Sequence, residues 1–193
     1  MRRALLISLR MAVVTIVLTG LIYPLVVWGL GAVLFPKQAA GSLVTGANGT
    51  VIGSQLIAQS FTADKYFHPR PSAAGANGYD AMASSPSNLG PTSRLLMSEV
   101  QTRVADVISR EGASAGSVPV DMVTSSGSGL DPDISPDSAA LQVARVAKAR
   151  GVSADAIKAL VAQHTKSRDL GFLGEPRVNV LELNLALDGL SSK

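Results

Sequence analysis

The sequence predicts a single N-terminal transmembrane helix followed by one mixed α/β extracytoplasmic domain. Three observations lead there. The 25 residues from Met11 to Phe35 contain no charged side chain. Arg2, Arg3 and Arg10 precede that run without an acidic residue among them. After it, helix caps, strand-like alternation and Pro/Gly/Ser-rich stretches succeed one another over about 155 residues, enough for a core without disulfides in a chain with no cysteine. The expected division is a cytoplasmic segment 1–10, a membrane helix 11–35 and a domain 36–193.

A helix of 25 residues is about 37 Å long and a bilayer core about 30 Å thick, so the run spans with some tilt. The net charge of +3 resides wholly in the three N-terminal arginines; from Pro36 onward 14 basic residues balance 14 acidic ones. Basic flanks stay in the cytoplasm, which puts the domain outside. A cleaved signal peptide is the competing reading. Its apolar region is usually ~7–15 residues, and Gln38-Ala39-Ala40 is a poor cleavage site. Pro24 removes a backbone hydrogen bond and predicts a kink. Thr15, Thr19, Gly20, Gly29 and Gly31 are small enough to admit a second helix, and Trp28 and Phe35 suit the outer interface.

Beyond the anchor, Leu43–Gln59 reads as two strands around a type I′ turn at Asn48-Gly49. Phe61–Thr92 reads as a long irregular loop. A helix is expected from Thr92 to Glu111, its apolar face Leu96, Val100, Val104, Val107 and Ile108, stopped by Gly112. Gly112–Ser117 is a linker, Val118–Thr124 a strand and Ser125–Ile134 irregular. Ser135 caps a helix with Pro136 at its first position and Asp137 on its positive end, running to Gly151. Ser153 caps the next, Ala154 to about Thr165, with Ile157, Leu160 and Val161 inward. Arg177–Leu187 alternates as a half-buried strand, Leu181, Leu183, Leu185 and Leu187 against Glu182, Asn184 and Asp188.

Several chemistries find little support in the residues. Ser126–Asp131 is a Gly-rich loop before a helix, but the Lys-Ser/Thr pair of a phosphate-binding P-loop is absent. Val143–Lys166 has the rhythm of a helix-turn-helix and five basic residues, yet the domain is neutral and expected outside, so no nucleic acid is predicted. His68 and His164 are the only histidines, too few for a metal centre. No Gly-x-Ser-x-Gly elbow supports a serine hydrolase. An exported hydrolase and a membrane-tethered DNA regulator remain the alternatives from other classes.

A long block resembles a known family. Ser125–Pro132, Ile134-Ser135-Pro136 and Gln142–Ala147 look like the C subunit of Kdp-type potassium-transporting P-type ATPases, the KdpC family. Gly171–Asn184 is similar to that family's C-terminal signature, and Tyr66-Phe67, Arg70–Ala73 and Ser87–Gly90 resemble its loop motifs. Ser85-Pro86 departs from the pattern, where glycine is expected.

The resemblance implies a non-catalytic accessory subunit in the bacterial inner membrane. Its partners are a channel-like A subunit, an ATP-hydrolysing B subunit phosphorylated on aspartate, a small F subunit and the lipid bilayer. Potassium is handled by the partner, and the chain is needed for assembly. The family is also described as raising the B subunit's affinity for ATP, so ATP is family-implied and no other cofactor or metal is expected. The candidate partner-binding residues are Arg70, Pro71, Ser72, Asn88, Gly127, Gly129 and Asp131. Arg70 between Pro69 and Pro71 is held extended, ready for a partner carboxylate or for an internal bridge to Asp64 or Asp80. Both readings stay open at this point.

Overall fold

The computed structural model describes residues 1–46 and 48–190 and divides into two compact units, Met1–Val51 and Ile52–Lys193.

The first unit is dominated by one continuous helical stretch, α1 (Arg2–Val17), a π-helical turn Leu18–Ile22 and α2 (Tyr23–Leu34). It begins well before the uncharged run and has a mean hydropathy of 2.3, with none of its apolar window buried inside the chain, so it is long and apolar enough to cross a membrane. The expected kink takes a specific form. Pro24 has no N–H for the carbonyl four residues back, and just before it Tyr23 N–H reaches five back, to Leu18 O. The hydroxyls of Ser8 and Thr19 fold onto the carbonyls of Ala4 and Thr15, hiding their polarity against the backbone. A single turn, α3 (Pro36–Ala39), and β1 (Leu43–Thr45) follow. Gly46 N–H donates to Thr50 O across the turn, and Asn48 Oδ1 accepts from Thr50, as an Asx turn does. Ala47 lies outside the described residues.

The second unit begins at Ile52, within β2 (Val51–Ser54). The strands around the turn are shorter than the expected Leu43–Gln59, because Ser54 Oγ accepts from Leu56 N and turns the chain aside. No regular element intervenes before α4 (Arg94–Glu111), which Ser93 caps and Gly112 ends in the left-handed conformation. Only Val107 of its expected apolar face is buried; the other four members are half-buried. The expected strand Val118–Thr124 is not one. Pro119 leads into a 3-10 turn, Val120–Met122.

Next come β3 (Asp133–Ile134), α5 (Pro136–Arg150), α6 (Ala154–His164), β4 (Thr165–Lys166) and β5 (Arg177–Asn179). Ser135 and Ser153 cap α5 and α6 as expected, and Gly151 ends α5 with a φ of 66°. The strands form a small antiparallel sheet with β5 central, pairing Ile134 and Thr165 with Val178 from opposite sides.

The chain ends in α7 (Val180–Leu190), which corrects the expected strand Arg177–Leu187 after its first three residues. Burial falls on Val180, Leu183, Asn184 and Leu187, the i, i+3, i+4, i+7 stripe of a helix, together with Leu181. Asn179 Oδ1 accepts from Glu182 N at 3.1 Å and so caps it. The core joins α5, α6, α7 and the sheet through Ile134, Val143, Val146, Ile157, Val178, Leu183 and Leu187, and closes over one loop residue, the fully buried Phe67.

Candidate functional site

The irregular segment that carries Tyr66-Phe67 is clamped rather than free. Peptide groups buried away from water need partners, and this stretch has no strand beside it to supply them. Side chains do so instead. Buried Asn184 of α7 behaves as a peptide surrogate, its Oδ1 accepting from Phe67 N at 2.8 Å and its Nδ2 donating to Phe67 O at 2.9 Å. Gln142 of α5 does the same one residue on, accepting from His68 N at 2.7 Å and donating to His68 O at 3.2 Å. Arg145 donates from Nη1 to the carbonyls of Asp64 and Tyr66, and Arg150 from Nε to that of Lys65. Every carbonyl from Asp64 to His68 is thus held by a helix side chain.

The clamp is electrostatically anchored. Arg145 Nε sits 2.9 Å from Glu111 of α4, in a pair whose side chains are 7% and 1% exposed. Arg150 bridges Asp188 at 2.8 Å, and its guanidinium also lies over the Tyr66 ring, which donates its hydroxyl to Asp188 and packs against Phe61.

Seven residues stood out in the sequence as partner-binding, and the structure gathers four of them. Arg70 Nη1 bonds Asp131 Oδ2 at 2.8 Å, so Arg70 closes an internal bridge, though to neither Asp64 nor Asp80. Ser72 Oγ donates to Gly129 O at 2.6 Å and accepts from the amides of Ala74 and Tyr79. Tyr79 OH returns to Arg70 O. Ser84 Oγ adds a bond to Ser128 O and Ala58 N one to Leu130 O, zipping the two irregular segments together. Pro71 holds the chain beside them, half-buried. Gly127 and Asn88 are exposed and outside this network, Asn88 in a left-handed turn with a φ of 54°. The Gly-rich loop does not lead into a helix N-terminus, because β3 stands between it and α5. Its amides are engaged locally, Gly129 N with Ser126 O and Leu130 N with Ser128 Oγ.

Beside the clamp, a groove of about 500 Å³ runs between the loop and α4, lined by Phe61, His68, Pro71, Tyr79, Arg103 and Arg110, among others. Burial, reinforced by the Arg145 and Arg110 charges, pushes the His68 imidazole down to about 4. Its Nδ1 accepts from Arg110 at 2.6 Å, which requires the neutral ring. A base depressed in the folded state loses stability as pH falls from its unfolded value, about 6.5, toward 4, where the unfolded chain takes up the proton first. The half-open ring is screened, so the loss is on the order of 1–2 kcal/mol. Chemical unfolding of the chain at pH 7 and pH 4.5 measures it, and His68→Gln flattens the difference.

Sequence reasoning missed Gln142, Arg145, Glu111, Arg150 and Asn184 as the residues that build this surface. Gln142 and Arg145 do lie in the family-like block Gln142–Ala147, and Asn184 ends the block Gly171–Asn184. For Gln142 a signal was available, since it falls at helical spacing from Ala139, Val143 and Val146 on the apolar stripe of α5. Among the described residues, no group of three or more His, Asp or Glu side chains could hold a metal ion.

Comparison with known proteins agrees with the motifs that carry this geometry. The family described as KdpC: K+-transporting ATPase, c chain, matches residues 5–189. The potassium-transporting ATPase KdpC subunit of Gemmatimonas aurantiaca is 58% identical over 185 residues, 96% of this chain and 92% of that protein. The KdpC subunit of Citrifermentans bemidjiense is 52% identical over 186 residues, 96% and 97% of the two chains. That of Mycobacterium bovis is 55% identical over 191 residues, 98% and 100%. Residues 5–189 take in nearly all of the apolar helix and of α7 together with the clamped loop and the Gly-rich loop, and on that extent of likeness the chain belongs to the KdpC family of potassium-transporting ATPase subunits.

Proposed function

We propose that the chain is a non-catalytic subunit that assembles with the channel-like A, ATP-hydrolysing B and small F subunits of the Kdp complex and stabilises them. In this reading the helix Arg2–Leu34 anchors it in the inner membrane with the N-terminus cytoplasmic and the second unit outside. The observation that carries the reading is how the family-like motifs are used. Tyr66-Phe67 is bonded to Gln142–Ala147 and Asn184, and Arg70–Ala73 to Gly129 and Asp131; together these bonds hold an irregular surface in place, which suits docking. Rigid loops are a common way to present a binding surface. The resemblance also implies an increase in the B subunit's ATP affinity. Direct cradling of phosphate by Ser126–Asp131 is disfavoured, since Gly129 and Leu130 donate their amides within the loop.

Two experiments test this. In the first, the full chain is tagged, co-expressed with the other subunits and purified in detergent; their recovery with it supports assembly, and recovery of the chain alone rejects it. In the second, a reporter that works only when exported is fused after Lys193, which lies outside the described residues. It is expected to be active, and activity of a cytoplasm-only reporter there contradicts the orientation.

A further inference from the structure

Between β4 and β5 the chain makes a protrusion that the fold leaves uncovered. Leu170, Phe172 and Leu173 are 82%, 69% and 49% exposed, at the tip of a segment with charged residues on both sides. Isolated exposed leucines are ordinary, but three large apolar side chains on one short tip are not. The tip is also built. Asp169 and Leu173 exchange both backbone hydrogen bonds at 2.9 Å. Arg168 pairs with Glu175 at 2.6 Å, and Arg177 with Asp169 at 3.1 Å. Gly171 and Gly174 take positive φ values of 83° and 74°, and Leu170 takes 54°, a conformation that a leucine adopts only against steric strain.

The geometry points to Leu170, Phe172 and Leu173 as a preformed anchor that seats in an apolar pocket on another subunit of the potassium-transporting ATPase. This rests on the assembly reading above and names the contact. The choice of occupant follows from area and charge. Three side chains, even at the ~150–250 Å² that a buried aromatic contributes, fall short of the ~800 Å² that each partner buries in a stable dimer, so a second copy of the chain is a poor fit. A lipid surface is drawn to basic flanks, but here each arginine beside the tip is already paired with an acid, Arg168 with Glu175 and Arg177 with Asp169. An apolar centre ringed by self-satisfied polar groups is the anatomy of a protein interface. A small anchor suffices where it is one contact among several, as in the multi-subunit assembly proposed above, because each further contact then forms at high effective concentration.

The test uses the full chain co-expressed with the other subunits. Leu170→Asn keeps a residue tolerant of positive φ, and Phe172→Ser removes the ring. The double variant is expected to recover the other subunits about tenfold less well or worse, with the chain's own unfolding midpoint not lowered. Undiminished recovery overturns the proposal, as does a drop that tracks a lowered midpoint. A benzophenone side chain at position 172 supplies a second readout. An adduct with another subunit supports the anchor; an adduct with lipid or a second copy overturns it. If the unaltered chain recovers no other subunit, the assembly reading itself fails, which separates the two outcomes.

Discussion

Arg145→Ala lowers the stability of the second unit by about 3–5 kcal/mol, the range for breaking one side of a buried ion pair. Glu111 would keep a charge that is 1% exposed with no partner, and the carbonyls of Asp64 and Tyr66 would lose their donor. Arg145→Lys restores the charge but not the fork that reaches Glu111, Gln142 and two carbonyls at once, so it recovers only part of the loss. Replacing both partners, with Arg145→Met and Glu111→Leu, removes the unpaired-charge penalty and is milder than Arg145→Ala for the core, while the loop still loses its clamp. Urea unfolding of the detergent-solubilised chain, followed by far-ultraviolet circular dichroism, ranks these variants. Trp28, the sole tryptophan, lies in the apolar helix and does not report on this unit.

Gly129→Val is the second large effect, and Gly127→Val is its control. A β-carbon on Gly129 would lie 2.4 Å from Ser85 O and 2.9 Å from Ala74 N, both backbone atoms that no rotamer change can move, at a φ of +66°. Strain of that kind costs about 1–3 kcal/mol for the conformation and a similar amount for overpacking, so a loss of about 2–5 kcal/mol is expected. It also separates the zipped segments and frees Ser72 and Ser84 from the loop. At Gly127 nothing lies within 4 Å, and the valine is expected to be near neutral. Equal effects at the two positions contradict the packing described here.

What the sequence disclosed, and what it hid, divides by the range of the interaction. Caps are local chemistry, so Ser93, Ser135, Ser153, Gly112 and Gly151 bound their helices much as the sequence implies, with Ser93 one residue inside the expected start at Thr92. The apolar helix is equally local. The last element was misread because Leu181, Leu183, Leu185 and Leu187 satisfy a period of two while Val180, Leu183, Asn184 and Leu187 satisfy 3.6. Asn179 followed by Glu182 three residues later was a start signal that could have decided it. The clamp was beyond such reading. Gln142 and Asn184 meet their loop partners 74 and 117 residues away, and no spacing rule pairs an amide with a distant peptide group. The same holds for Arg70, where local stiffness was legible but the choice of Asp131 depended on how two loops fold together. Gly127 and Gly129 look alike in sequence and differ only in what surrounds them.

Potassium-stimulated ATP hydrolysis, measured on the purified complex with and without this chain, tests the proposed role most directly. The account predicts no hydrolysis by the chain alone, loss of activity or of intact complex when it is omitted, and restoration when the full chain is supplied. Hydrolysis by the isolated chain, or an intact and fully active complex lacking it, would contradict the account.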